Sequence, residues 1–179
     1  MGSHKPSLPV GGAPMVQRVL AAVAPRPVLV VGRADDVPDG IPVLVEDPPG
    51  GGPVAAVVAG LTALARLTPR AEVVLLLAAD LPFVTSAHLD RLTAAVTETV
   101  TDGPAVTRDR TGRLNWLCSA WRTDVLTAAV DALGDPDGQS LRALVGALTP
   151  REVDDEGGVA DDVDTPEDLA RARASAGDA

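Results

Sequence analysis

At 179 residues and 46% apolar side chains, the chain has the length and the apolar stock of one globular domain, and residues 1–179 are read as a single unit. A formal charge of −10 excludes general affinity for nucleic-acid backbones or anionic membranes, and no apolar run reaches the roughly 18 residues of a membrane span, so a cytoplasmic protein with neither partner is expected. The single Cys118 has no disulfide partner, and with only His4 and His88 present a Cys–His nucleophile is not expected; Cys118 reads as a small core residue.

In chain order, Met1 to Gly12 hold two prolines and three glycines without a period and read as a loop, leading into a helix over Pro14–Val23. Lys5, within that loop, is the only lysine in the chain. Pro27–Gly32 and Ile41–Glu46 read as short strands. The stretch Glu46-Asp47-Pro48-Pro49-Gly50-Gly51-Gly52-Pro53 cannot be regular structure and runs into a helix over Val54–Leu67. Glycines before a helix amino terminus let backbone amides approach an anion, although no GK[ST] follows and a plain surface loop is the commoner outcome.

Val73 to Ala79 are seven apolar residues in a row, the pattern of a central parallel strand covered on both faces. The run stops at Asp80, Pro82 blocks its continuation and Ser86 opens a helix to Val100, so Asp80 lies at the carboxyl end of the strand, where open α/β sheets bind ligands. Gly103–Thr107 and Leu114–Arg122 read as a hairpin about the polar turn Arg108–Gly112. Trp116 and Trp121 are five apart on the second strand; alternation points them to opposite faces, so at most one lines a pocket and both are mainly structural. Helices over Thr123–Leu133 and Ser140–Leu148 and a strand near Glu152 follow. Asp164 or Thr165 caps a last helix with Pro166 in its first turn. Asp162 and Asp164 read as the end of a strand on the same sheet edge as Asp80, and neighbouring carboxylates repel unless a cation, most simply a divalent metal, lies between them.

Taken in order, Lys5-Pro6 with Leu8 to Pro14, Gly51 to Ala56, Ala79-Asp80-Leu81-Pro82-Phe83, Asn115 to Trp121, and Asp162 to Leu169 resemble the molybdenum cofactor guanylyltransferase family. The resemblance spans almost the whole chain. It implies a nucleotide-diphospho-sugar-transferase-like, Rossmann-like α/β fold: three layers, with a mostly parallel sheet between flanking helices. It implies a Mg²⁺-dependent nucleotidyltransferase in which a phosphate oxygen of molybdopterin attacks the α-phosphate of GTP and pyrophosphate leaves. It assigns Asp80 to the metal, Lys5 to the triphosphate, Asp47 to the nucleotide, and Asp164 to the metal or the pterin side. Its implied partners, besides GTP and the molybdenum cofactor, are cofactor-synthesis enzymes and apo-molybdoenzymes.

The family's opening strand and phosphate loop, LAGGxxRRMGxDK, have no counterpart here beyond the tail, onto which Met1-Gly2-Ser3-His4-Lys5 aligns. That register implies a start assigned at the internal methionine, with the first strand and loop upstream; a purification-tag scar is the rival reading. His4 stands where the family has Asp, and Gly32 near a position often Asn in its base pocket. A cytidylyltransferase for the same cofactor, a phospholactate guanylyltransferase and a non-catalytic nucleotide-binding domain are the alternatives.

Overall fold

The computed structural model describes residues 5–66, 71–98, 103–146 and 148–177; His4, Leu67 and Val100 lie outside them. Where only a loop is expected at the amino end, a 3-10 turn over Lys5–Ser7 leads into a hairpin of β1 (Pro9–Val10) and β2 (Ala13–Pro14). Gly11 and Gly12 close it at φ of +62° and +76°, the pair of positive values that a two-residue turn demands. Helix α1 (Met15–Val23) follows, then β3 (Val30–Val31) and β4 (Val43–Leu44), a short parallel pair. Helix α2 (Gly52–Leu64) covers β3 closely: a Cβ on Gly60 would stand 3.7 Å from both Leu29 and Val31 side chains.

The main sheet holds β5 (Val73–Leu77), β6 (Ala105–Arg108), β7 (Leu114–Arg122) and β8 (Arg151–Asp154) in the order β5-β7-β6-β8. Helix α3 (Ser86–Thr97) joins β5 to β6, α4 (Thr123–Leu133) and α5 (Leu141–Val145) join β7 to β8, and α6 (Pro166–Ala176) ends the described chain. The α/β class and its three layers are as expected, but the sheet is mixed rather than mostly parallel. β6 and β8 run parallel, while β7 is antiparallel to both β5 and β6. The reason is the tight turn between β6 and β7, which permits only an antiparallel return.

Both faces of β5 are covered, as its apolar run requires: Val73, Leu75 and Leu77 pack toward α1 and α3, and Val74 and Leu76 toward α2, α4 and α5. Its place is corrected, however. Among the described residues β5 is hydrogen-bonded only to β7, so it edges the four-stranded ladder instead of lying at its centre.

Trp116 and Trp121 do not face opposite ways. Val106 pairs with Ser119 and the next residue, Thr107, with Asn115, so β7 carries extra residues across that step. Such a bulge resets the alternation, and both indoles pack into the cluster with α2, α4 and α5. On the other face Cys118 is fully buried, and burial pushes its thiol up to about 11, so it stays protonated core.

A third cluster positions the site. Val10 of the amino-terminal hairpin and Met15 at the start of α1 meet Val163 and Ala172, with Phe83 packed alongside. One small core thus gathers the Lys5 arm, the loop after Asp80 and the approach to α6.

Candidate active site

Asp80 follows β5 by three residues, and its loop is held on both sides. Ala78 N–H donates to the Leu117 carbonyl at 2.8 Å, and the buried Leu81 anchors the chain one residue further on. Arg18 of α1 donates to the carbonyls of Pro82 (2.7 Å) and Val10 (3.2 Å), with its guanidinium 5.9 Å from the centroid of the Phe83 ring. One side chain therefore ties the loop after Asp80 to the hairpin behind Lys5.

Asp162 and Asp164 reach the same place by a different device than expected. No strand forms there; the segment 155–165 is irregular, held by side chains where a ladder would have served. The Asp155 carboxylate accepts from the amides of Gly158 (3.0 Å) and Val159 (2.8 Å), and Asn115 Nδ2 donates to the Ala160 carbonyl at 3.1 Å. Val163 is buried, which turns its neighbours Asp162 and Asp164 outward. Thr165 then caps α6: its Oγ1 accepts from Asp168 N, while the Asp168 carboxylate accepts from the amides of Thr165 (2.8 Å) and Asp164 (3.2 Å).

Asp80, Asp162 and Asp164 line one cavity of about 280 Å³. Lys5 Nζ donates to Asp164 Oδ1 at 2.7 Å, and this bond, with the added charge of Asp80 and Asp162, raises the lysine above its ordinary value. Burial first, and then the Asp164 and Asp162 charges, push the Asp80 carboxyl up against the opposing pull of Lys5. Asp162 is raised likewise by burial and by Asp164. Lys5, with Arg113 offsetting only part of the Asp162 charge, leaves this group of carboxylates under-compensated.

Among the described residues no three metal-ligating side chains converge into a ready cage. Magnesium does not need one, since it keeps several waters and is held by one or two carboxylates together with substrate phosphates. A hard, oxygen-only donor set with surplus negative charge fits that ion.

Of the residues singled out from sequence, Lys5, Asp80, Asp162 and Asp164 are brought together. Asp47 is not: it is exposed in the loop between β4 and α2, and is absent from the cavity wall. In the glycine run, Gly51 has a packing duty, since a Cβ there would stand 2.9 Å from both Ala55 and the Pro48 carbonyl. The sequence reading missed Asp109, Arg113 and Leu114 in the cavity wall and used Asn115 and Trp116 only within a longer fragment. The signal was topological. Leu77 pairs with Cys118, so an antiparallel β7 starts beside the point where β5 ends, and the β6–β7 turn lies at the site.

The sequence matches the MobA-like NTP transferase domain over residues 1–153. It is 33% identical over 178 residues to a molybdenum cofactor guanylyltransferase of Rhodobacter capsulatus, covering 96% of this chain and 87% of that one. Among solved structures, molybdopterin-guanine dinucleotide biosynthesis protein A of Archaeoglobus fulgidus superposes with a TM-score of 0.74 at 17% identity, over 99% of this chain and 93% of that one. The 2-C-methyl-D-erythritol 4-phosphate cytidylyltransferase of Thermus thermophilus superposes with a TM-score of 0.68 at 22% identity, over 98% and 94%. These two likenesses concern the fold. With the family matched over most of its length and carboxylates gathered at the end of β5, the chain belongs to the MobA-like NTP transferase domain family and is a nucleotidyltransferase.

Proposed function

We propose that this protein transfers GMP from GTP to the terminal phosphate of molybdopterin. An acceptor phosphate oxygen bonds to the α-phosphorus, the bond from that phosphorus to the bridging oxygen breaks, and pyrophosphate leaves. The observation that carries this reading is the convergence of Asp80, Asp162, Asp164 and Lys5 at one cavity, in a chain 33% identical to a guanylyltransferase across nearly its whole length. Phosphoryl-type transfer needs positioning and charge neutralisation more than covalent chemistry from the protein. Magnesium, when bound, neutralises phosphate charge and lowers the barrier to attack at the α-phosphorus.

Asp80 would be the principal ligand for that ion, because it stands on a loop fixed from both sides and Lys5 offsets its charge only in part. Asp164 holds Lys5 at the cavity edge and shares its charge with the ion. Lys5 neutralises the triphosphate. Asp47, outside the cavity wall on the loop before α2, is assigned to the nucleotide by the family resemblance alone. Apo-molybdoenzymes and cofactor-synthesis enzymes are the protein partners this role entails.

The test is a calorimetric titration with GTP, CTP and ATP, with and without Mg²⁺, followed by a transfer assay with molybdopterin. Magnesium-dependent binding of GTP alone, with release of pyrophosphate on adding molybdopterin, is expected. A preference for CTP would replace the base assignment, and transfer to phospholactate the acceptor. Failure to bind any nucleotide would leave a non-catalytic domain.

A further inference from the structure

The cavity wall carries one cation that the scheme above does not use. Arg113 stands just after the β6–β7 turn and is exposed, and its guanidinium makes no hydrogen bond or ion pair among the described residues. Its backbone, by contrast, is pinned. The Asp109 carboxylate accepts from the amides of Thr111 (2.8 Å) and Arg113 (2.9 Å), and Asp109 N–H donates to the Arg113 carbonyl at 2.9 Å. The same turn is tied to the segment carrying Asp162 by Arg110, whose Nη2 lies 2.8 Å from Asp161 Oδ2. A guanidinium that feels the Asp109 and Asp162 charges, yet has no hydrogen-bonding partner among the described residues, is thus mounted on a pinned turn at the mouth of an acidic cavity.

From this placement we infer that Arg113 receives the phosphate of the acceptor, and so determines acceptor affinity separately from nucleotide affinity. The inference rests on the proposed transfer reaction, which brings two phosphate-bearing molecules into one site. A phosphomonoester dianion entering a cavity walled by Asp80, Asp109, Asp162 and Asp164 meets four carboxylates. Among the described residues Arg113 is the one cationic side chain in that wall, and its planar fork matches two phosphate oxygens at once. Lys5 comes from the amino-terminal arm and is engaged with Asp164, whereas Arg113 comes from the β6–β7 turn. Each cation then serves one of the two phosphate groups. Beside Arg113, the half-buried Trp116 contributes an apolar wall to the same cavity, suited to a flat heterocycle carried by that phosphate.

The experiment titrates the wild-type chain, R113Q and R113K with Mg·GTP, and separately with molybdopterin without nucleotide. The signal is tryptophan fluorescence, which Trp116 supplies from the cavity while Trp121 is 1% exposed. R113Q is expected to leave the Mg·GTP dissociation constant within twofold and to weaken molybdopterin binding at least tenfold, with R113K recovering part of the loss. Steady-state assays should then show a raised KM for molybdopterin and an unchanged KM for GTP. Equal weakening of both ligands, no change in either, or absence of molybdopterin binding by the wild type would overturn the inference. Arg113-dependent molybdopterin binding by a wild type that ignores Mg·GTP would support it while sinking the transferase reading.

Discussion

Asp80 carries opposed consequences for activity and for stability. Its carboxyl is raised by burial and by Asp164 and Asp162, so in the metal-free protein its charge works against the fold. Asp80→Asn is expected to lower turnover by roughly a thousandfold or more through loss of the metal ligand. The same variant should raise the metal-free melting temperature by about 2–4 °C, the equivalent of ~1 kcal/mol in a domain of this size. Near-normal turnover would remove Asp80 from the site; a lower melting temperature would show that its charge is already compensated. His88 titrates with the opposite sign. It is buried, its Nε2 lies 2.7 Å from Thr107 Oγ1, and Thr107 donates in turn to the Cys118 carbonyl at 2.8 Å. That assigns the Nε2–H tautomer and leaves Nδ1 without a partner among the described residues. Burial, then Arg91, depress its pKa, so the unfolded chain takes up the proton first and stability declines as pH falls below the unfolded value of about 6.5. His88→Gln should flatten this limb in denaturation series from pH 7 to 5. An unaltered slope would assign the limb to other groups.

At the scale of elements, the site hangs on how α6 begins. The capping box of Thr165 and Asp168 satisfies the first amides of the helix and also holds the Asp164 amide, so helix start and site residue share one carboxylate. Thr165→Ala is expected to cost about 1 kcal/mol, the usual worth of such a cap. It should also weaken Mg·GTP binding by loosening Asp164; a purely thermal effect with unchanged affinity would confine Thr165 to stability. Sequence made this helix start legible, because Thr165-Pro166-Glu167-Asp168 is a local signal that needs no distant partner. The turn from Asp109 to Arg113 was legible only as a turn. Its importance comes from where β7 carries it, and that is a matter of pairing between residues far apart in sequence.

For the molecule as a whole, one small core joins the amino-terminal hairpin, the loop after Asp80 and the last helix, so ligand bound among them stabilises everything they connect. At a hundredfold excess over its dissociation constant, Mg·GTP adds about 2.7 kcal/mol. The melting temperature should then rise roughly 5–10 °C. Neither Mg²⁺ nor GTP alone should approach that shift, since the carboxylates and the triphosphate repel without the ion between them. Equal shifts from GTP with and without Mg²⁺ would remove the metal from the site. Among the described residues no helix is long and apolar enough to cross a membrane.

The apolar run ending at Asp80, the caps, the glycine turns and the helical periods are short-range facts, and the chain alone determined them: α/β layering, a carboxylate at a strand end, and the ordered motifs of a nucleotidyltransferase. Strand direction, the edge position of β5 and the shared face of Trp116 and Trp121 depend on which strands pair and where a bulge falls. The same long-range packing joined Lys5 to Asp164 across the length of the chain and brought Arg113 to the cavity. Local sequence sets what each segment is able to form. Which residues meet is decided by the burial of all segments together, and only the tertiary structure records that outcome.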